Sequence, residues 1–247
     1  HRRVTPMNAA RLPAGFSDGL KRAAAPHWRR ATQHRFTREI AAGSLDPAVY
    51  ARYLVQDYAF VTAFAGLVAQ AAAYAPTMAQ KRPFAEFLNL LVAAENDYFL
   101  RSFTALGVPR TAVEQPRLHP ITQAFKVEIE AAGNSRSYEE VLAVLLAAEW
   151  SYLTWGKACG DQRPPQFWLA EWIDLHASPG FEAFVLGLKA ETDRAGAAAS
   201  PEVQAAMTAR FVRLMTLEAA FFDAAYDAAG DTAGDDASDT TGAHKTR

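Results

Sequence analysis

The sequence is short of cysteine, of long apolar runs and of net charge, and each shortage removes a class of function. Cys159 is the one thiol in 247 residues, so no internal disulfide can form, and without a second thiol or a nearby Cys/His pair it makes a poor metal site. A reducing, cytoplasmic setting is expected. Gln, Glu or Asp interrupts the apolar stretches before they reach the ~18–20 residues of a membrane span, so no membrane partner is expected either. Lys and Arg number 25 against 27 Asp and Glu, a net charge of −2. That balance lacks the positive footprint of a phosphate-binding protein, and no basic recognition helix is visible, so nucleic acid is not an expected partner. The opening HRRVTPM has basic residues with no apolar core behind them, unlike a secretory signal. Its first methionine is Met7, which makes residues 1–6 a candidate non-native start.

What is present is apolar and helical. Half of the residues are hydrophobic, and from about 16 to 229 they recur at three- and four-residue spacing with little strand-like alternation, which predicts an all-α, single-domain bundle. Residues 1–15 read as a flexible extension. Residues 230–247 (GDTAGDDASDTTGAHKTR) are polar and small, and read as a disordered tail. A first amphipathic helix is expected from Leu20 to Ile40, stopped by Gly43, with Asp46-Pro47 capping and opening a second that runs past Val68 and is apolar all round. Pro76 and Pro83 bracket a break before a continuous helix from Phe84 to Leu106, ended by Gly107-Val108-Pro109. Pro116 and Pro120 punctuate a loop, and further helices are expected over 121–132, 138–158, 168–175, 180–196 and 201–228, seven or eight in all.

Three acids do not belong in such helices. Asp57 sits in YLVQDYAFVTAF, Glu149 in VLAVLLAAEWSYLTWG and Glu218 in FVRLMTLEAAFFDAAY, each among aromatics. An unpaired buried carboxylate is costly and survives with a partner or a shifted pKa. Capping, an arginine partner or a place at the surface would explain any one of them. Three on three central helices point to a shared pocket, where desolvation and proximity can make one acid and one base at neutral pH. A di-iron centre would need Glu-x-x-His pairs, and no His follows Glu95, Glu149 or Glu218 at that spacing. Haem would need an axial His such as His27 or His34, which a solvated basic face with Arg29, Arg30, Arg35 and Arg38 explains more simply. No metal and no cofactor are expected.

The stretch from FSDGLKRAAAPHWRRATQHRF through AAGSLDPAVYARYLVQDYAF, with Leu146 to Gly156, Trp172-Ile173, Phe181 and Leu217-Glu218-x-x-Phe221-Phe222, resembles the TenA/thiaminase II family over roughly residues 16–226. The resemblance implies a haem-oxygenase-like helical bundle that binds pyrimidines and forms dimers or tetramers. One branch of that family uses a cysteine nucleophile where this chain reads Ala147-Ala148-Glu149-Trp150-Ser151-Tyr152. It therefore resembles the second branch, with Glu149 at the position next to the missing thiol. By the same resemblance Glu218 is a catalytic acid/base and Asp57 the acid that binds the pyrimidine ring. Tyr152 is kept, while Phe60, Phe125 and His176 stand at or near ring-contacting positions that are Tyr in the cysteine branch. Ordinary core packing is the alternative for Phe60, Phe125, Trp150 and Trp155.

The expected activity is hydrolysis of an aminopyrimidine or formylaminopyrimidine fragment of degraded thiamine. Asp57 would orient the ring, and Glu149 and Glu218 would divide proton donation and water activation, in an order the sequence leaves open. A non-catalytic pyrimidine-binding regulator and a metal-dependent oxidase on the same fold are the alternatives. Cys159→Ser is expected to keep turnover of aminopyrimidine within a few-fold, because no base or cation is evident to form a thiolate; complete loss of activity on alkylating the folded protein would contradict this.

Overall fold

A computed structural model describes residues 14–228. The expected tail, and all but the last two residues of the expected extension, lie outside them. Twelve α-helices and one π-helical turn fill the described residues, and no strand is present among them. The helices are α1 (Phe16–Ala23), α2 (Ala25–Thr32), α3 (Arg35–Ala42), α4 (Pro47–Tyr74), α5 (Met78–Leu90), α6 (Asn96–Ala105), α7 (Arg110–Glu114), α8 (Pro120–Asn134), α9 (Tyr138–Ala158), α10 (Phe167–Ala177), α11 (Pro179–Ala198) and α12 (Pro201–Ala225), and the π turn is Leu91–Glu95.

The centre is α9, whose residues Val141–Ala148 are buried without interruption. It packs on α12 and α11, and also meets α4 and α10; α4 in turn packs on α5 and α8. By length and composition α4 could cross a membrane, but Tyr50, Tyr53, Asp57, Phe60 and Phe64 on it are buried within the bundle.

Several boundaries follow the expected local chemistry. Asp46 caps α4 by accepting from the Ala48 N–H at 2.7 Å, with Pro47 in the first turn. Gly43 closes α3 in a left-handed conformation (φ 68°), so that the Ser44 and Gly43 N–H groups reach the carbonyls of Glu39 and Ile40, a Schellman stop.

Other boundaries differ. The single helix expected over 20–40 is three. Pro26 has no N–H to offer the Arg22 carbonyl, so the chain restarts at Ala25. His34 starts α3 as its cap: Nδ1 accepts from the Phe36 N–H (3.0 Å), which leaves Nε2 to donate to Asp223 (2.8 Å). His34 is therefore a fixed joint between α3 and α12 and not part of a loose basic face. Pro83 does not bound a break but lies inside α5. The break is confined to 75–77, where Lys81 spans it by donating to the Ala72 and Ala73 carbonyls at 2.9 Å. The expected Phe84–Leu106 helix is split by the π turn, and α7 occupies part of the expected loop.

Gly43→Ala should lower the unfolding free energy in urea by about 1–2 kcal/mol, the cost of a left-handed L-residue, because an added Cβ would also come within 2.8 Å of Pro164 Cβ. Gly66→Ala, exposed within α4 with open space around it, should raise it by up to about 1 kcal/mol.

Candidate active site

A narrow cavity lies among α4, the π turn, α9 and α10, lined by Asp57, Phe60, Val61, Phe64, Leu91, Glu95, Ala148, Glu149, Tyr152, Trp172 and His176. No lysine or arginine is among these side chains. Of the expected site residues, Asp57, Phe60, Glu149, Tyr152 and His176 meet here. Phe125 does not line the cavity; it backs Phe60 edge-on, with ring centroids 5.2 Å apart. Glu218 also stands behind the wall, 3% exposed on α12. Glu95 was not among the expected site residues, and the structure places its carboxyl in the wall.

The carboxyls are held up by burial. Desolvation disfavours the charged form, and it pushes Glu95 and Glu218 each up to about 8. Asp57 and Glu149 also rise well above the ordinary range. Burial is the leading cause for both, followed by the negative charges of Glu95 and then Glu218, with Asp57 adding to Glu149. Glu149 is half-buried and lines the cavity. The buried Oδ2 of Asp57 has no hydrogen-bond partner.

The polar groups in the wall have assigned directions. His176 Nδ1 lies 2.8 Å from the Trp172 carbonyl; a carbonyl only accepts, so Nδ1 carries the hydrogen and Nε2 keeps its lone pair. Burial lowers the imidazole to about 4, so the ring is a neutral acceptor. Its position is fixed at Gly156, where a Cβ would fall 2.5 Å from the His176 carbonyl oxygen. The Tyr152 and Tyr53 hydroxyls are 2.8 Å apart. Trp172 lies 1% exposed with its indole N–H unpartnered.

The cavity volume is about 20 Å³, room for about one water-sized sphere, so an aromatic ring has to displace wall side chains to enter. A groove of about 590 Å³ between α5 and α11 is far larger, but Phe84, Phe87, Phe181 and Phe184 dominate it and its acids, Glu86 and Glu191, pair with Arg82 and Arg194. The acids that line the small cavity, Asp57, Glu95 and Glu149, have no cation in its wall. Cys159 is not part of that lining; it is buried, with its thiol raised by desolvation.

The all-helical bundle is the haem-oxygenase-like fold of its solved structural neighbours. The TENA/THI-4/PQQC family matches residues 21–228, and the chain belongs to that family. It is similar to the aminopyrimidine aminohydrolase of Halalkalibacterium halodurans, 25% identical over 213 residues that cover 85% of this chain and 95% of that protein. The aminopyrimidine aminohydrolase of Bacillus subtilis is 24% identical over 210 residues, covering 85% and 89%. Among solved structures, a TenA homologue from P. horikoshii superposes with a TM-score of 0.77 at 19% identity over 86% of this chain and 99% of that one. A protein described as a TenA family transcription regulator, from Silicibacter, gives 0.76 at 24% identity over 85% and 96%.

Folded-state values of about 8 for Glu95 and Glu218 lie above the ~4.3 of an unfolded glutamate. The folded state therefore holds the extra protons, and the stability they contribute is complete below pH ~4 and lost as pH rises towards 8, at up to about 1.4 kcal/mol per pH unit for each group. Glu218→Gln removes one such loss. Its melting temperature relative to the wild type should climb between pH 5 and 8, whereas a constant difference would show that Glu218 is not protonated in the fold.

Proposed function

We propose that the chain is a hydrolase of thiamine salvage that cleaves a C–N bond of an aminopyrimidine or formylaminopyrimidine, on the branch that uses Glu149 where other members use a cysteine. The observation that carries the reading is the cavity itself, in which carboxyl groups converge among aromatic rings with no cation beside them. Such a wall suits a flat ligand rich in N–H donors, and the Halalkalibacterium halodurans and Bacillus subtilis relatives are named aminopyrimidine aminohydrolases.

A neutral Asp57 carboxyl can donate to a ring nitrogen and accept from an adjacent amino group, so protonation strengthens its part in ring binding. Phe60 and Tyr152 offer faces for stacking, with Phe125 supporting Phe60, and His176 Nε2 accepts a further N–H. Glu149 keeps its proton against the charges of Glu95 and Glu218, which suits it to protonate the departing nitrogen. Glu218 gives up its proton more readily, towards pH 8, and suits the role of base once the entering ring has displaced the wall side chains between it and the water, from which it takes a proton. The water oxygen then bonds to carbon as the C–N bond breaks. An aminomethyl substrate yields the alcohol and ammonia; a formylamino substrate yields the amine and formate. No step calls for a metal or cofactor. The same reading places the protein in the cytoplasm as a homo-oligomer, dimer or tetramer, with the α5/α11 groove and the exposed Met78 and Leu186 on those helices as its apolar contact surface.

Mass spectrometry of products from thiamine, aminopyrimidine, formylaminopyrimidine and an unrelated amide tests the substrate class. Turnover of one pyrimidine and not of the unrelated amide is expected; inertness towards all three pyrimidines would refute the hydrolase reading. Glu149→Gln and Glu218→Gln should each lower turnover by roughly 10²–10⁴, as for a positioned acid or base, with the fold retained. The double variant should be little worse than the poorer single one. Near-normal turnover in either single variant would remove that residue from the mechanism.

A further inference from the structure

Glu95 reaches the cavity by an unusual route. It closes the π turn Leu91–Glu95, inserted between α5 and α6. A π turn adds one residue to a helical circuit and is found disproportionately at functional sites, because it re-aims the side chains after it. Asn96, the next residue, accepts from the Tyr58 hydroxyl at 2.8 Å, which ties this turn to the helix that carries Asp57. Glu95 is 6% exposed with no ion-pair partner among the described residues, and it shares the cavity wall with Asp57 and Glu149. Independently, Asp57 is 2% exposed on that wall with an unpartnered oxygen, which marks the wall as built for a ligand.

We propose that Glu95 is a positioning residue of this site: sharing the wall with Glu149 and Asp57, it adds to burial in keeping the proton on them, and so extends to higher pH the range in which Glu149 is the proton donor. The role rests on the hydrolase reading. Two carboxyls that share a low-dielectric wall do not both ionise, so the first to lose its proton fixes the proton on the other. The groups facing the pair are Asp57 from α4, Tyr152 on α9, the neutral His176 from α10 and, behind the wall, Glu218 from α12. Glu218 acts on Glu149 in the same direction but less strongly than Glu95 does. On the π turn's own side, the next acid, Asp97, is exposed and paired with Arg101 at 2.7 Å.

The test uses the full-length protein with Glu95→Gln and the shorter acid Glu95→Asp. The Glu149 carboxyl is followed by ¹³C NMR from pH 5 to 10, its signal assigned by its loss in Glu149→Gln. In Glu95→Gln the Glu149 midpoint should fall by about one pH unit, the scale of a coupled carboxyl pair, and Glu95→Asp should restore most of it. The high-pH limb of the kcat profile for aminopyrimidine should move down by the same amount, with kcat affected more than KM. At a pH on that limb this leaves about tenfold less Glu149 protonated. An unchanged midpoint in Glu95→Gln overturns the proposal, as does a variant whose single defect is a lower melting temperature. If the wild type turns over no pyrimidine while the midpoint still moves, the hydrolase reading fails and the coupling of Glu95 to Glu149 stands.

Discussion

Burial of carboxyl groups without a compensating cation is the constraint around which this molecule is arranged. Each such group costs several kcal/mol if ionised, so the protein keeps it protonated instead. Asp57, Glu95, Glu149 and Glu218 come from α4, the π turn, α9 and α12, which means that four segments distant in sequence must dock correctly before any of these pKa values is set. The tight approach of α9 to α10 at Gly156 and the Tyr58–Asn96 bond from α4 to α6 are the joints that make the docking reproducible. The apolar mass around them serves the same end, since it lowers the dielectric in which the acids repel one another.

Aromatic rings divide into two sets. Phe36, Tyr53 and Phe222 stack and tilt against one another behind the site, with centroids 4.6–6.0 Å apart, and fix α3, α4 and α12 as a unit. Phe60, Tyr152 and Trp172 form the cavity face itself. Both Phe60 and Phe125 belong to the buried core; Phe60 also lines the cavity, and Phe125 stands one layer back.

The bundle was legible in the sequence wherever a helix boundary rested on one or two residues. Asp46-Pro47, Gly43 and Gly107 carry their own stereochemistry, and the helices end or begin there. Boundaries set by tertiary context were not legible. Pro83 looks like a breaker until Lys81 is seen bridging the break before it, and His34 looks solvated until Asp223 arrives from α12. Asp57 and Glu149 stood out because each is alone in an apolar run. Glu95 did not, because in LVAAENDYF it opens the polar run Glu95-Asn96-Asp97 that reads as a solvated face, and the π turn that rotates it inward has no sequence signature of its own. Glu218 stood out for its aromatic neighbours, but whether it lines the cavity or stands behind it depends on the angle at which α12 packs.

The Tyr53–Tyr152 hydroxyl pair gives the cavity a direction. Either hydroxyl of the pair can be the donor; when the buried Tyr53 hydroxyl, 1% exposed, donates, Tyr152 receives it. The hydrogen of Tyr152 is then free, and the unpartnered indole N–H of Trp172 belongs to the same wall, while His176 Nε2 presents a lone pair. One stretch of wall gives hydrogens and another takes them. A flat heterocycle whose own edges differ in the same way fits such a wall in one orientation and is mismatched when turned over.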